Sequence, residues 1–203
     1  MEKCIFLDKD GTLIYDEPYN VSLDKIRCYE DIYAPLRNLT EVGYKLIIVS
    51  NQSGIAKRYF TEKQLHEAFK HLVSILRKEG VYITDYYFCP HASPERKQEH
   101  VKACSCRKPL PGLLTQAAED YNIDLTQSWM IGDIIADTGA GRAAGCNTIL
   151  IDRNGQERTR ALISHPSYRP DIIVDHFFSI DAIILKTKIK NYESADEQYP
   201  SRI

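Results

Sequence analysis

Cys4-Ile5-Phe6-Leu7-Asp8-Lys9-Asp10-Gly11-Thr12 is an apolar run that ends in two carboxylates one residue apart. The run has the length and character of a buried strand, and the carboxylates stand at its C-terminal end. Like charges this close raise each other's pKa, and the apolar strand behind them adds a desolvation cost. Such a pair needs compensation, either from a cation or from a proton held between the two. Gly11 and Thr12 then turn the backbone and offer hydrogen-bond donors, which suits an anionic ligand. Taken alone, these residues also fit a plain Asp-rich turn, so the rest of the chain has to decide.

Outward from that strand, short apolar runs alternate with helical patterns. Strand-like runs fall at residues 3–7, 44–49, 85–88, 128–131, 147–151 and 172–174. The periodicity predicts helices over 32–41, 62–79, 112–121, 136–144 and 180–188. Thr61 ahead of Glu62-Lys63-Gln64 carries capping-box chemistry. Pro111 suits the first turn of its helix, and Gly43, Gly80 and Gly145 suit helix C-terminal ends. This alternation predicts an α/β fold, a Rossmann-like three-layer sandwich with a mostly parallel sheet covered on both faces. One domain over residues 1–190 is expected, with the polar, non-periodic stretch 191–203 as a flexible tail. Residues 153–169 read as a polar loop that either frames the site or plays no part in it, and 93–102 as part of a long, charged, irregular one.

The net charge of −2 spreads no basic field over the chain, which argues against phosphate-neutralising contacts with nucleic acid. No run of about eighteen apolar residues is present to span a membrane, and the first strand begins too early for a secretory signal. The expectation is a cytoplasmic monomer acting on a small molecule. In a reducing compartment six cysteines point to metal binding or buried thiols rather than disulfides.

Ligands of open α/β sheets bind beyond the carboxyl ends of the strands. The first strand delivers Asp8 and Asp10 there, and the second delivers Ser50-Asn51-Gln52-Ser53-Gly54. The fourth delivers Gly132-Asp133 and, one helical turn on, Asp137; Arg107-Lys108-Pro109 precedes it. This ordered set resembles the haloacid dehalogenase superfamily of phosphatases. The motifs of that superfamily are Asp-x-Asp-Gly-Thr, a strand-end Ser or Thr, a Lys, and a strand-end Gly-Asp with a further Asp. The resemblance runs over residues 3–151.

It implies a phosphate monoester as substrate, and the residue types fit. A carboxylate attacking that anion is repelled unless a cation shares the charge. Hard oxygen ligands suit Mg²⁺, which the family assigns to Asp8, the backbone carbonyl of Asp10, and Asp133. Asp8 is the expected nucleophile, forming an aspartyl-phosphate, and Asp10 the general acid and then base. To act first as an acid Asp10 must start protonated, which its anionic neighbours favour. Ser50 would bind a phosphoryl oxygen and Lys108 would offset its charge. Asp137 either orients Lys108 or the metal waters, or caps its helix. Thr12 reads as structural.

Cys89-Pro90-His91 and Cys104-Ser105-Cys106 give three thiolates and an imidazole around the long loop. Together they form a closed tetrahedral Zn²⁺ set with no position left for water, hence a structural site. His100 is the alternative imidazole. Because Cys106 is one residue from Lys108, zinc is expected to act indirectly, by holding Arg107 and Lys108 at the mouth of the site. Cys4, Cys28 and Cys146 read as inert thiols, and His66 and His71 as solvent-facing helix positions. His165 and His176 have no evident partner.

Too few residues separate the motifs for an inserted cap domain, so the expected site is open. A capless chain with Cys-Pro-His, Cys-x-Cys-Arg-Lys-Pro and Ser-Asn-Gln-Ser-Gly-Ile is similar to the D-glycero-D-manno-heptose 1,7-bisphosphate 7-phosphatases. Histidinol-phosphate phosphatases are their relatives and the second expectation, with another small-metabolite phosphatase or a catalytically silent phosphate-binding scaffold as the remaining alternatives. The resemblance implies Ser50, Asn51, Arg107 and Lys108 as substrate or phosphate contacts, and a heptose 1-phosphate product for lipopolysaccharide synthesis. One departure stands out: those enzymes usually carry Gly-Asp-Lys where this chain has Gly132-Asp133-Ile134. Either the substrate is a monophosphate or another cation, Lys57 or Arg58, compensates.

Overall fold

The computed structural model describes residues 1–92, 104–163 and 165–187. His100, the stretch 93–102 and the tail 191–203 lie outside the described residues. Strands β1 (Lys3–Leu7), β2 (Tyr44–Asn51), β3 (Asp85–Cys89), β4 (Trp129–Gly132), β5 (Asn147–Ile151) and β6 (Ile172–Val174) form one sheet. Their order is β3-β2-β1-β4-β5-β6 and every neighbouring pair is parallel.

Side chains alternate between two cores. Ile5, Leu7, Leu46, Ile48, Trp129 and Ile131 pack on one face, and Cys4, Phe6, Ile47, Val49 and Met130 on the other. Burial on both faces explains why these strands read as continuous apolar runs rather than alternating ones. Helices α1 (Tyr33–Glu41) and α2 (Glu62–Lys78) and the helical run 180–187 cover the first face. Helices α3 (Gly112–Tyr121) and α4 (Ile135–Ala144) cover the second.

Helix α2 buries Leu65, Ala68, Phe69, Leu72 and Leu76, a single stripe at helical spacing. The Thr61–Gln64 capping box forms as the sequence predicts. Gly43, Gly80 and Gly145 take positive φ just past their helices, whereas Pro111 stands at the N-cap of α3 rather than within its first turn.

The expected loop over 153–169 is in fact helix α5 (Gln156–Ile163) followed by a 3-10 turn at Pro166–Tyr168. Only Glu157 and Ala161 of α5 are buried, so no apolar period marks it. Its start is set by Asp152 at the end of β5, whose carboxylate accepts the N–H of Glu157 at 3.1 Å and of Arg158 at 2.9 Å. Anionic capping of this kind substitutes for the missing apolar stripe.

From β1 the chain crosses to β2 on one side, and from β4 to β5 on the other, so the order reverses between β1 and β4. A crevice opens at such a point beyond the strand ends. Among the described residues, only two 3-10 turns and α1 separate β1 from β2, and only α2 separates β2 from β3. No cap is inserted among them, and among the described residues no helix is long and apolar enough to cross a membrane.

Candidate active site and metal centre

β1 and β4 bring Asp8 and Asp133 together at the crevice, with Asp8 N–H bonded to Ile131 O at 3.0 Å. Carboxylate oxygens of Asp8, Asp133 and Asp137 all lie within 4.8 Å of one another. Gly11 makes room: at φ +78° it turns the chain, and a Cβ there would stand 2.0 Å from Asp133 Oδ2. Thr12 Oγ1 donates to Asp133 Oδ1 at 3.3 Å, in keeping with a structural role.

Burial pushes the Asp8 carboxyl up to about 7, with Asp137 and Asp10 adding to the effect and Lys108 opposing it. Burial likewise pushes Asp133 up to about 9, reinforced by Asp8 and Asp137. One ammonium does not offset this crowd, and a divalent cation among hard oxygens would. On donor type and spacing, Asp8 and Asp133 fit Mg²⁺.

Lys108 is 3 % exposed and reaches Asp8 Oδ1 at 2.5 Å, Asp137 Oδ1 at 2.6 Å and the Val49 carbonyl at 2.8 Å. Two of its hydrogens have acceptors in Asp8 and Val49, and the contact with Asp137 is an ion pair. Burial lowers its pKa, but Asp137 and Asp8 outweigh that and hold it above the usual lysine range. Asp137 makes contacts suited to both roles the sequence left open: its Oδ1 forms the ion pair with Lys108, and its Oδ2 accepts Ile134 N–H at 3.2 Å at the start of α4. Asn51 clamps the Lys108 backbone from both sides, accepting its N–H at 3.0 Å and donating to its carbonyl at 3.1 Å.

Asp10 is not surrounded by anions alone. Lys9, 4 % exposed, donates to its Oδ1 at 2.6 Å, and Gln52 donates to its Oδ2 at 3.0 Å. Lys9 is the chain neighbour of Asp10, whereas Gln52 reaches it from beyond another strand and could not be placed there from the sequence. A cavity of about 160 Å³ opens over Asp8, Asp10, Ser50, Asn51, Lys108 and Asp133. A second, of about 250 Å³, shares Asp16, Asp133 and Ile134 with it and runs on to Tyr29, Arg153 and Arg160.

Arg107 borders neither cavity; its Nη1 donates to His91 O at 3.0 Å. Lys57 and Arg58 border neither as well, and Lys57 is engaged by the hydroxyl and ring of Tyr19. The cations beside Ile134 are instead Arg153, paired with Asp31 at 2.7 Å, and Arg160, paired with Glu157. Both lie in the segment 153–169, for which the sequence left open a role in framing the site.

The second cluster lies at the end of β3. Cys89 Sγ is 3.4 Å from His91 Nδ1 and 3.7 Å from Cys104 Sγ, and Cys106 Sγ is 3.4 Å from His91 Nδ1. A tetrahedral ion about 2.3 Å from sulfur and about 2.0 Å from nitrogen sets S···S at about 3.8 Å and S···N at about 3.5 Å. The observed spacings fit that geometry, and 3.7 Å is far too long for a disulfide. Burial pushes the Cys89 and Cys106 thiols up; at Cys104 burial acts the same way, but hydrogen bonds from the Arg107 backbone and from neighbouring thiols bring it down. Cys4 and Cys146 are buried, and burial pushes Cys146 up to about 12, which suits inert thiols. His66 is partly exposed, and it also lies edge-on to Phe88 and contacts the Tyr86 hydroxyl at 3.0 Å. His165 contacts Ser167 Oγ at 2.8 Å and His176 stacks on Phe178.

The HAD-hydrolase-like family model matches residues 105–179. The D-glycero-beta-D-manno-heptose-1,7-bisphosphate 7-phosphatase of Haemophilus ducreyi is 37% identical over 86% of this chain and 93% of its own length. The Haemophilus influenzae protein of the same name is 39% identical over 86% of this chain and 95% of its own. Among solved structures, D,D-heptose 1,7-bisphosphate phosphatase from B. bronchiseptica, complexed with magnesium and phosphate, superposes with a TM-score of 0.76. It is 25% identical and covers 92% of this chain and 99% of its own.

Proposed function

Because this chain belongs to the haloacid dehalogenase-like phosphatases, in the family of the heptose bisphosphate 7-phosphatases, we propose that it removes the 7-phosphate of D-glycero-D-manno-heptose 1,7-bisphosphate. The observation that carries the chemistry is the meeting of Asp8, Asp133, Ser50 and Lys108 around one cavity at the β1/β4 crevice. The names and coverage of its relatives support the substrate.

Asp8 attacks phosphorus: an Oδ–P bond forms as the ester bond to the leaving oxygen breaks, giving an aspartyl-phosphate. Asp10, once it has taken up a proton, passes that proton to the departing alkoxide. It then takes a proton from the water that attacks phosphorus and breaks the Asp8–P bond, which releases phosphate and restores the carboxylate. The Ser50 hydroxyl donates to a phosphoryl oxygen, and the Lys108 ammonium offsets negative charge while Asp137 and Val49 hold it in place. Asp8, the Asp10 carbonyl and Asp133 would hold Mg²⁺, which would supply the charge that lets a carboxylate approach an anion.

Cys89, His91, Cys104 and Cys106 would hold a structural Zn²⁺. Their backbone braces the site: Gln52 N–H bonds Cys89 O at 2.8 Å, Ala56 N–H bonds Pro90 O at 3.3 Å, and Arg107 bonds His91 O. Arg107 thus reads as a strut of the metal loop. The distal, unreacting end of the substrate would lie in the cavity toward Arg153 and Arg160.

Comparison of kcat/KM across the heptose bisphosphate, histidinol phosphate and p-nitrophenyl phosphate tests the substrate. A preference of at least tenfold for the bisphosphate is expected, and a smaller one overturns the heptose assignment while leaving the phosphatase chemistry in place.

A further inference from the structure

Gln52 stands beside the reacting groups and takes no part in the chemistry above. It follows β2, is 6 % exposed, and its backbone N–H is fixed on Cys89 O at 2.8 Å. Its side-chain Nε2 carries two hydrogens, and two acceptors meet it: Ser50 Oγ at 2.8 Å and Asp10 Oδ2 at 3.0 Å. Both donors are used, so the orientation of the amide is determined by its partners: an oxygen in place of that nitrogen would face a carboxylate.

Two consequences follow for the neighbours. Ser50 Oγ accepts from Gln52, so its own hydrogen must point elsewhere, and Ser50 borders the cavity over Asp8. Asp10 is gripped at Oδ1 by Lys9 and at Oδ2 by Gln52, which fixes the plane of its carboxyl group. We propose that Gln52 is a positioning residue, one amide that aims the Ser50 hydroxyl at the phosphoryl group and holds Asp10 where it can reach the leaving oxygen. The inference rests on the reading of Asp10 as proton donor to that oxygen.

Leaving groups provide the test. p-Nitrophenolate departs without a proton, whereas a primary alkoxide requires one. Gln52→Met and Gln52→Glu are compared with Asp10→Asn, using p-nitrophenyl phosphate and a primary alkyl phosphate as probes. For Gln52→Met, kcat/KM should fall about a hundredfold on the alkyl phosphate, as a misplaced catalytic group does, and about tenfold or less on p-nitrophenyl phosphate. Gln52→Glu, which sets a second carboxylate against Asp10, should discriminate at least as strongly. The ratio of the two values does not depend on the active fraction, so partial misfolding does not mimic it. If Asp10→Asn discriminates between the substrates and neither Gln52 variant does, the positioning role is wrong and the proton donor stands. If Asp10→Asn lowers both substrates equally, the proton-donor reading fails and the inference falls with it.

Discussion

The acidic cluster at β1/β4 and the thiol–imidazole cluster at the end of β3 both sit beyond the carboxyl edge of one sheet, and they handle charge in opposite ways. Asp8, Asp133 and Asp137 crowd like charges against a single buried lysine, beside a cavity that admits a ligand. Cys89, His91, Cys104 and Cys106 surround one point with four soft donors, and none of them borders the 160 or 250 Å³ cavity. The first arrangement is electrostatically unfinished, with carboxylates displaced upward by burial and by each other. The second is geometrically complete. A site proposed to bind, react and release is left short of a charge, whereas one proposed only to brace a loop closes on itself.

Asp8→Asn breaks the comparison most sharply. It should lower kcat by about four orders of magnitude or more, because no other group takes the phosphoryl. The same change removes one excess negative charge from the crowd, so the metal-free variant should unfold at or above the wild-type temperature at pH 8. A variant keeping a tenth of the activity would show that Asp8 is not the nucleophile.

Removal of zinc should have a smaller effect. A chelator followed by restoration of Mg²⁺ should leave kcat/KM about ten- to a hundredfold down and the unfolding temperature lower, since Gln52, Ala56 and Arg107 lose a rigid support. Cys104→Ala with Cys106→Ala should reproduce both changes and abolish bound zinc on metal analysis. Full activity at zero zinc content and unchanged unfolding temperature would separate the two clusters and remove the bracing role.

The smallest effect expected is on pH dependence. Folded, metal-free protein keeps protons on Asp8 and Asp133 up to about 7 and about 9, whereas unfolded aspartates release them near 3.8. The folded state therefore binds more protons between those values, and this contribution to stability falls as pH rises through them. Mg²⁺ binds the deprotonated carboxylates, so the gap between Mg²⁺-loaded and metal-free unfolding temperatures should widen from pH 6 to pH 9. A gap that stays constant or narrows would mean that the acidic cluster is not the magnesium site.

Much of this was legible along the chain. The strand ends that carry Asp8, Ser50 and Asp133, and the donor types at Cys89, His91, Cys104 and Cys106, follow from local pattern and chemistry. Helix α5 escaped because its buried face is two residues wide and its cap, Asp152, belongs to the preceding strand. Gln52 was visible only as a polar residue after a strand, and the bond from Arg107 to His91 O was not visible at all.

The sequence by itself determined the alternation of elements, the order of the motifs and the kinds of ligand atom available, because these depend on short-range periodicity and residue chemistry. Only the tertiary structure decided that Lys108 is held by Asp8, Asp137 and Val49, that Asp137 meets both lysine and helix, and that Gln52 joins Ser50 to Asp10. Those contacts depend on which strands become neighbours. The order β3-β2-β1-β4-β5-β6 sets residues more than a hundred positions apart within hydrogen-bond reach, a distance over which no local pattern carries information.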